Sequence, residues 1–126
     1  MFRVLIADDD PALREALSEA LHLDGLEVRA VADGFEACRS AAAESFDVII
    51  SDVHMPGNGR WLLERLRQVQ PETPVILMTA EDESAARQEA LAAGAFDYVV
   101  KPVTLPRLRR TLTRAFAGRR AAATLH

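Results

Sequence analysis

A single cysteine, Cys38, in a chain of 126 residues excludes an intramolecular disulfide. No apolar run approaches the roughly 20 residues of a membrane-spanning helix, and the opening MFRVLIADDD has neither the basic start nor the long apolar centre of a secretory signal. Internal repeats, low-complexity segments and domain linkers are also missing. The expectation is one cytoplasmic domain over residues 1–118, large enough to bury a core without structural metal, followed by a tail or the start of a linker at residues 119–126. Lysine is nearly absent, because 14 of the 15 basic residues are arginine and the exception is Lys101. Acidic residues stop at Asp97, so the net charge of −4 conceals −11 over residues 1–97 and +7 over residues 98–126. That basic excess belongs to no recognisable nucleic-acid-binding module, and none is expected to act through this domain. His22 and His126 have no metal-ligand partner at helical spacing.

What the chain does have is alternation. Apolar runs of strand length occur at RVLIA (3–7), LEVRAV (26–31), DVIIS (47–51), PVILMT (74–79) and FDYVV (96–100). Helical spacing fills the gaps, with Leu13, Leu17 and Leu21, then Phe35, Cys38 and Ala42, then Leu62, Leu66 and Val69, an Ala- and Glu-rich stretch at 83–93, and Leu105, Leu108 and Leu112. Asp10 before Pro11 reads as a helix N-cap with proline in the first turn, and Gly25 and Gly94 stand where helices should stop. Cys38 is expected on the apolar face of the second helix as inert core. Five βα units predict an α/β fold, a doubly wound (βα)5 architecture whose parallel sheet is covered on both faces.

In such a sheet the reactive crevice lies beyond the carboxyl ends of the strands, where strand order reverses. Those ends are Asp8 and Asp9, Asp52, Thr79 and Lys101. In the order 2-1-3-4-5, the flavodoxin-like arrangement, three carboxylates converge on one pocket. Their mutual repulsion becomes ligation if they hold a hard divalent cation, and Mg2+ suits a site with few carboxylates, waters and phosphate oxygens. A carboxylate can also act as a nucleophile that becomes an acyl phosphate, with lysine and threonine supplying a positive charge and a hydroxyl to the phosphoryl oxygens.

The segments IADDDPALR, DVIISDVHMP, ILMTA and GAFDYVVKP, in this order at successive strand ends, resemble the receiver domain of two-component response regulators. The resemblance covers roughly residues 3–117, and GAFDYVVKPV is similar to receivers attached to sigma-54-type transcription activators. It implies that Asp52 accepts a phosphoryl group from a sensor histidine kinase or phosphotransfer protein, and that the domain catalyses only its own phosphorylation and dephosphorylation. It further implies Mg2+ ligation by Asp9, Asp52 and the His54 carbonyl, with Asp8 acting mainly through water. Lys101, joined to Pro102 by a cis peptide bond, would contact the phosphoryl group. Thr79 and Tyr98 would form the switch, and His54 and Glu81 would tune phosphoryl lifetime. One departure stands out: only Gly57 and Asn58 separate Pro56 from Gly59, one residue fewer than receivers commonly have.

Two other chemistries fit parts of the pattern. A haloacid-dehalogenase-type phosphatase would use Asp8 as nucleophile and Asp10 as acid/base, but Pro11 and the immediate helix leave little room for its loop. A flavin carrier of the same architecture would need an anion-binding loop where this chain has three acids. Arg107, Arg110 and Arg114 form one stripe of the last helix, either a solvated face or part of a signalling surface made by the fourth helix, fifth strand and fifth helix. On the second reading, two copies could pair there, acids of one meeting arginines of the other.

Overall fold

The computed structural model describes residues 2–53, 60–80 and 84–124. Five strands, β1 (Arg3–Ala7), β2 (Glu27–Val31), β3 (Val48–Asp52), β4 (Val75–Thr79) and β5 (Asp97–Val100), alternate with five helices. The helices are α1 (Pro11–Leu23), α2 (Gly34–Ala43), α3 (Arg60–Val69), α4 (Ser84–Ala92) and α5 (Leu105–Thr124). The strands are all parallel, in the expected order β2-β1-β3-β4-β5. From residue 119 through Thr124 the chain continues α5.

Alternation along the strands divides the core into two layers. Val4, Ile6, Val48, Ile50, Ile76, Met78 and Val99 face α1 and α5, meeting Leu17, Leu21, Leu108 and Leu112. Leu5, Ile49 and Val75 face the other way, toward Ala37 and Ala41 of α2 and Leu62, Leu63 and Leu66 of α3. Every residue of the central strand β3 is buried, whereas edge strand β2 exposes Glu27 and Arg29.

Local signals position the helices. The Asp10 carboxylate accepts from the backbone N–H groups of Ala12 and Leu13, with Pro11 at the first helical position. Gly25 (φ +88°) and Gly94 (φ +106°) adopt the left-handed conformation that ends α1 and α4.

One helical face differs from expectation. Ala37 and Ala41, not Phe35 and Ala42, are the buried side chains of α2 beside the buried Gly34, with Cys38 at the margin of the core. Two small residues let α2 lie close to the sheet, and Phe35, too large for that seam, turns outward against Trp61 of α3 with ring centroids 5.8 Å apart. Burial raises the Cys38 thiol pKa, in keeping with an unreactive side chain. Ala37→Leu should therefore cost about 1–3 kcal/mol through overpacking, while Ala42→Leu should change stability by less than about 0.5 kcal/mol, as read by urea denaturation. The reverse ranking would mean that α2 packs through the other stripe.

Candidate functional site

The carboxyl ends of β1, β3, β4 and β5 meet at one end of the sheet because the strands are parallel and in register. Asp52 ends β3 opposite Met78, and Thr79 ends β4 opposite Val100. Asp8 follows β1 and is fully buried, Asp52 is 3% exposed, and Asp9 is open to solvent. One oxygen of each of these carboxylates lies within 4.8 Å of the others. At that distance, and with an effective dielectric of about 20, each pair of ionised groups repels by about 3 kcal/mol.

Lys101 provides the internal compensation. Its Nζ donates to Asp8 Oδ2 at 2.9 Å and lies 3.2 Å from Asp52 Oδ2. Burial pulls the Lys101 pKa down, but hydrogen bonds to Asp8 and Asp52 outweigh it, and the net effect lifts the ammonium above its ordinary value. Its position is fixed by the backbone, since Lys101 immediately follows β5 and its N–H donates to the Thr79 carbonyl at 2.6 Å. Asp8 is fixed equally well: its Oδ1 accepts from the Asp10 N–H at 2.9 Å, and its carbonyl accepts from Arg14 at 2.8 Å. The Lys101–Pro102 peptide bond is cis, as the resemblance implied.

Of the residues singled out from sequence, Asp8, Asp9, Asp52, Thr79 and Lys101 come together at this end of the sheet. Tyr98 lies one strand position deeper. It is buried opposite Leu77, on the same sheet face as Thr79, and it lines a cleft of about 470 Å3 between α3 and α4 with Leu62, Leu63 and Leu66. His54, Glu81 and the shortened Pro56–Gly59 loop lie outside the described residues. Asp10 caps α1, which leaves it no place as an acid/base beside Asp8. Sequence reasoning missed the Arg14 contact to the Asp8 carbonyl and the role of Asp97, a buried carboxylate in β5; the one available signal was an acid inside an apolar strand.

The donor set suits a hard cation: three carboxylates with mutually close oxygens, two buried and one solvent-facing, and a single ammonium to balance them. Residues 4–113 match the family described as the response regulator receiver domain. The chain belongs to this family. Receiver domains are signalling domains that take phosphoryl groups from histidine kinases and bind Mg2+ at an acidic pocket. Among its relatives, the response regulator protein FleR of Pseudomonas aeruginosa is 48% identical over 101 residues, which cover 79% of this chain and 21% of that protein. The regulatory protein AtoC of Escherichia coli is 41% identical over 114 residues, covering 90% of this chain and 25% of AtoC. This receiver therefore spans about a fifth to a quarter of the length of these two relatives. The chemotaxis response regulator CheY4 of Vibrio cholerae superimposes with a TM-score of 0.85 at 38% identity, covering 91% of this chain and 98% of CheY4. The receiver domain of Francisella response regulator 1452 gives 0.86 at 30% identity, covering 97% and 99%.

Removing the ammonium would leave this receiver's buried Asp8 and Asp52 uncompensated. Lys101→Met should cost about 1–3 kcal/mol in metal-free buffer, less than a fully buried pair because Lys101 is partly solvated. A raised folded-state pKa makes the lysine's contribution complete below its unfolded value, near 10.4, and lost only as pH climbs through the higher folded value. Urea titrations should thus show a constant difference between wild type and Lys101→Met from about pH 7 to 9. A difference that vanishes within that range would refute the assignment.

Proposed function

We propose that this chain is a two-component phosphorelay switch in the cytoplasm, in which Asp52 accepts a phosphoryl group from a sensor histidine kinase or phosphotransfer protein. The observation that carries the reading is the buried Asp52 carboxylate, sharing the Lys101 ammonium with Asp8 at the carboxyl ends of β1, β3 and β5. An Asp52 oxygen attacks phosphorus; the bond that breaks is P–N in a phosphohistidine donor, or P–O in acetyl phosphate, and the product is an acyl phosphate. Asp8, Asp9 and Asp52, together with the His54 carbonyl, would hold Mg2+, and Mg2+ bound there offsets the charge of the carboxylates and of the phosphoryl oxygens in flight.

Lys101 is held by backbone and carboxylates where a compact cation can meet those oxygens, a position a planar guanidinium would fill less readily. Thr79 supplies a hydroxyl from the end of β4. Because Tyr98 shares its sheet face and borders the cleft beside α4, displacement of Thr79 toward Asp52 would be felt by the ring and then by the helix. The output face would be α4, β5 and α5. The output itself would be transcriptional, of the sigma-54 activator type that the likeness to FleR and AtoC suggests.

Intact mass after incubation with Mg2+ and acetyl phosphate should show gain of one phosphoryl group, absent without Mg2+ and absent in Asp52→Asn. Gain retained in Asp52→Asn, or lost instead in Asp8→Asn while Mg2+ still binds, would move the nucleophile to Asp8 and favour the phosphatase chemistry.

A further inference from the structure

The turn that joins β1 to α1 is tied on both sides of Asp9 but not at Asp9 itself. The Asp8 N–H donates to the Val31 carbonyl at 3.1 Å, while Asp8 Oδ2 accepts from Lys101 and Oδ1 from the Asp10 N–H. Asp10 caps α1 through the N–H groups of Ala12 and Leu13, and its carbonyl accepts from the Arg14 N–H at 3.0 Å. No described residue hydrogen-bonds to Asp9, yet one of its carboxylate oxygens stands within 4.8 Å of those of Asp8 and Asp52.

The remaining tie is the side chain of Arg14, whose Nη1 donates to the Asp8 carbonyl at 2.8 Å. Arg14 is the fourth residue of α1, near the end of the helix where the dipole disfavours a cation. Three acids lie close to it in sequence, yet Arg14 forms no ion pair among the described residues. Reach, and not charge, is what the position uses. Helical side chains tilt toward the N-terminus, so a long one here can fold back over the turn. The peptide joining Asp8 to Asp9 is planar, and a hold on its carbonyl therefore also fixes the Asp9 nitrogen and the direction in which the chain enters Asp9. We propose that Arg14 is a positioning residue for Mg2+, setting through the Asp8–Asp9 peptide where the Asp9 carboxylate stands relative to Asp8 and Asp52. The proposal rests on the receiver reading for Mg2+ at this site. Arg14 acts through Asp9 and not by ligation, since a guanidinium has no acceptor to offer a metal; outer hydrogen bonds of this kind orient the ligands of other metal sites.

Charge and position predict opposite signs for the loss of Arg14. A guanidinium beside the site repels Mg2+, so its removal would tighten binding if charge alone mattered, whereas loss of positioning weakens it. Isothermal titration calorimetry of the full chain with Mg2+ alone should give a Kd about tenfold higher in Arg14→Met than in wild type. Arg14→Lys, which keeps one donor on a stem of similar reach, should fall between the two. The Mg2+ concentration that half-saturates phosphoryl gain from acetyl phosphate, read by intact mass, should rise by the same factor in each variant. Urea titrations in metal-free buffer separate positioning from mere support, and lower stability with unchanged Mg2+ affinity would overturn the proposal. Tighter Mg2+ binding would overturn it too, as would slower phosphoryl gain with Mg2+ affinity intact, which would move Arg14 to the phosphoryl oxygens. Should Arg14→Met fail to fold, Arg14→Lys decides, and Mg2+ affinity equal to wild type overturns the proposal. Wild type that binds no Mg2+ would sink the receiver reading of the site and the proposal with it, an outcome distinct from equal binding by wild type and variants, which sinks the proposal alone.

Discussion

The contact on which the rest of the site depends is that of one ammonium with two buried carboxylates. Asp8 and Asp52 lie at the ends of adjacent central strands, and parallel pairing of β1 with β3 forces them together. Burying two carboxylates side by side is costly without a compensating charge. Lys101 arrives from β5, three strands away from β1, and reaches both. The carboxylate cluster is therefore a product of the topology as much as of local sequence. A receiver built on this sheet gathers negative charge at its switch point and offsets only part of it, and the remainder is what a divalent cation would take up.

The same logic explains the asymmetry of charge along the chain. The basic final segment is partly spent on the acidic remainder of the fold: Arg109 donates to Asp24 beyond the end of α1, and Arg114 to Asp97. Arg3 does similar work at the opposite end of the sheet, bridging Glu27 and Glu44. Among the described residues Arg107 and Arg110 have no carboxylate partner, and they line depressions beside β5. A sequence count of +7 could not separate arginines that stabilise the fold from those that remain available to a partner.

Much of the architecture was legible because its signals were local or periodic. Continuous apolar strands, Asp10 with Pro11, and the stop glycines Gly25 and Gly94 specify elements without knowledge of their neighbours. The strand-end acids and Lys101 became readable as a site once the sheet order was assumed, since order alone decides which ends meet. The α2 face was misplaced because hydrophobicity pointed to Phe35, whereas the close approach of helix to sheet selects the small side chains of Ala37 and Ala41. Asp97 was opaque for a different reason. Its partners Arg87, Thr111 and Arg114 come from two helices, and only their assembly turns an acid in an apolar strand into a satisfied buried group.

Strand β5 then connects these regions within a few residues. Asp97, its first residue, anchors the arginine face; Tyr98, the next, borders the α3–α4 cleft; and Lys101, directly after its last, lies between the site carboxylates. The four residues of β5 are paired with β4 along their length. The elements beside it are less constrained. The α4 helix borders an open cleft on its α3 side and is tied to β5 through Arg87 and Asp97. In the proposed switch, a new charge at Asp52 draws on Lys101 and Thr79, and the packed element that feels both is β5. The helix beside it, α4, would respond through the Arg87–Asp97 contact. In that proposed switch, site and aromatic residue would be coupled by adjacency along one strand.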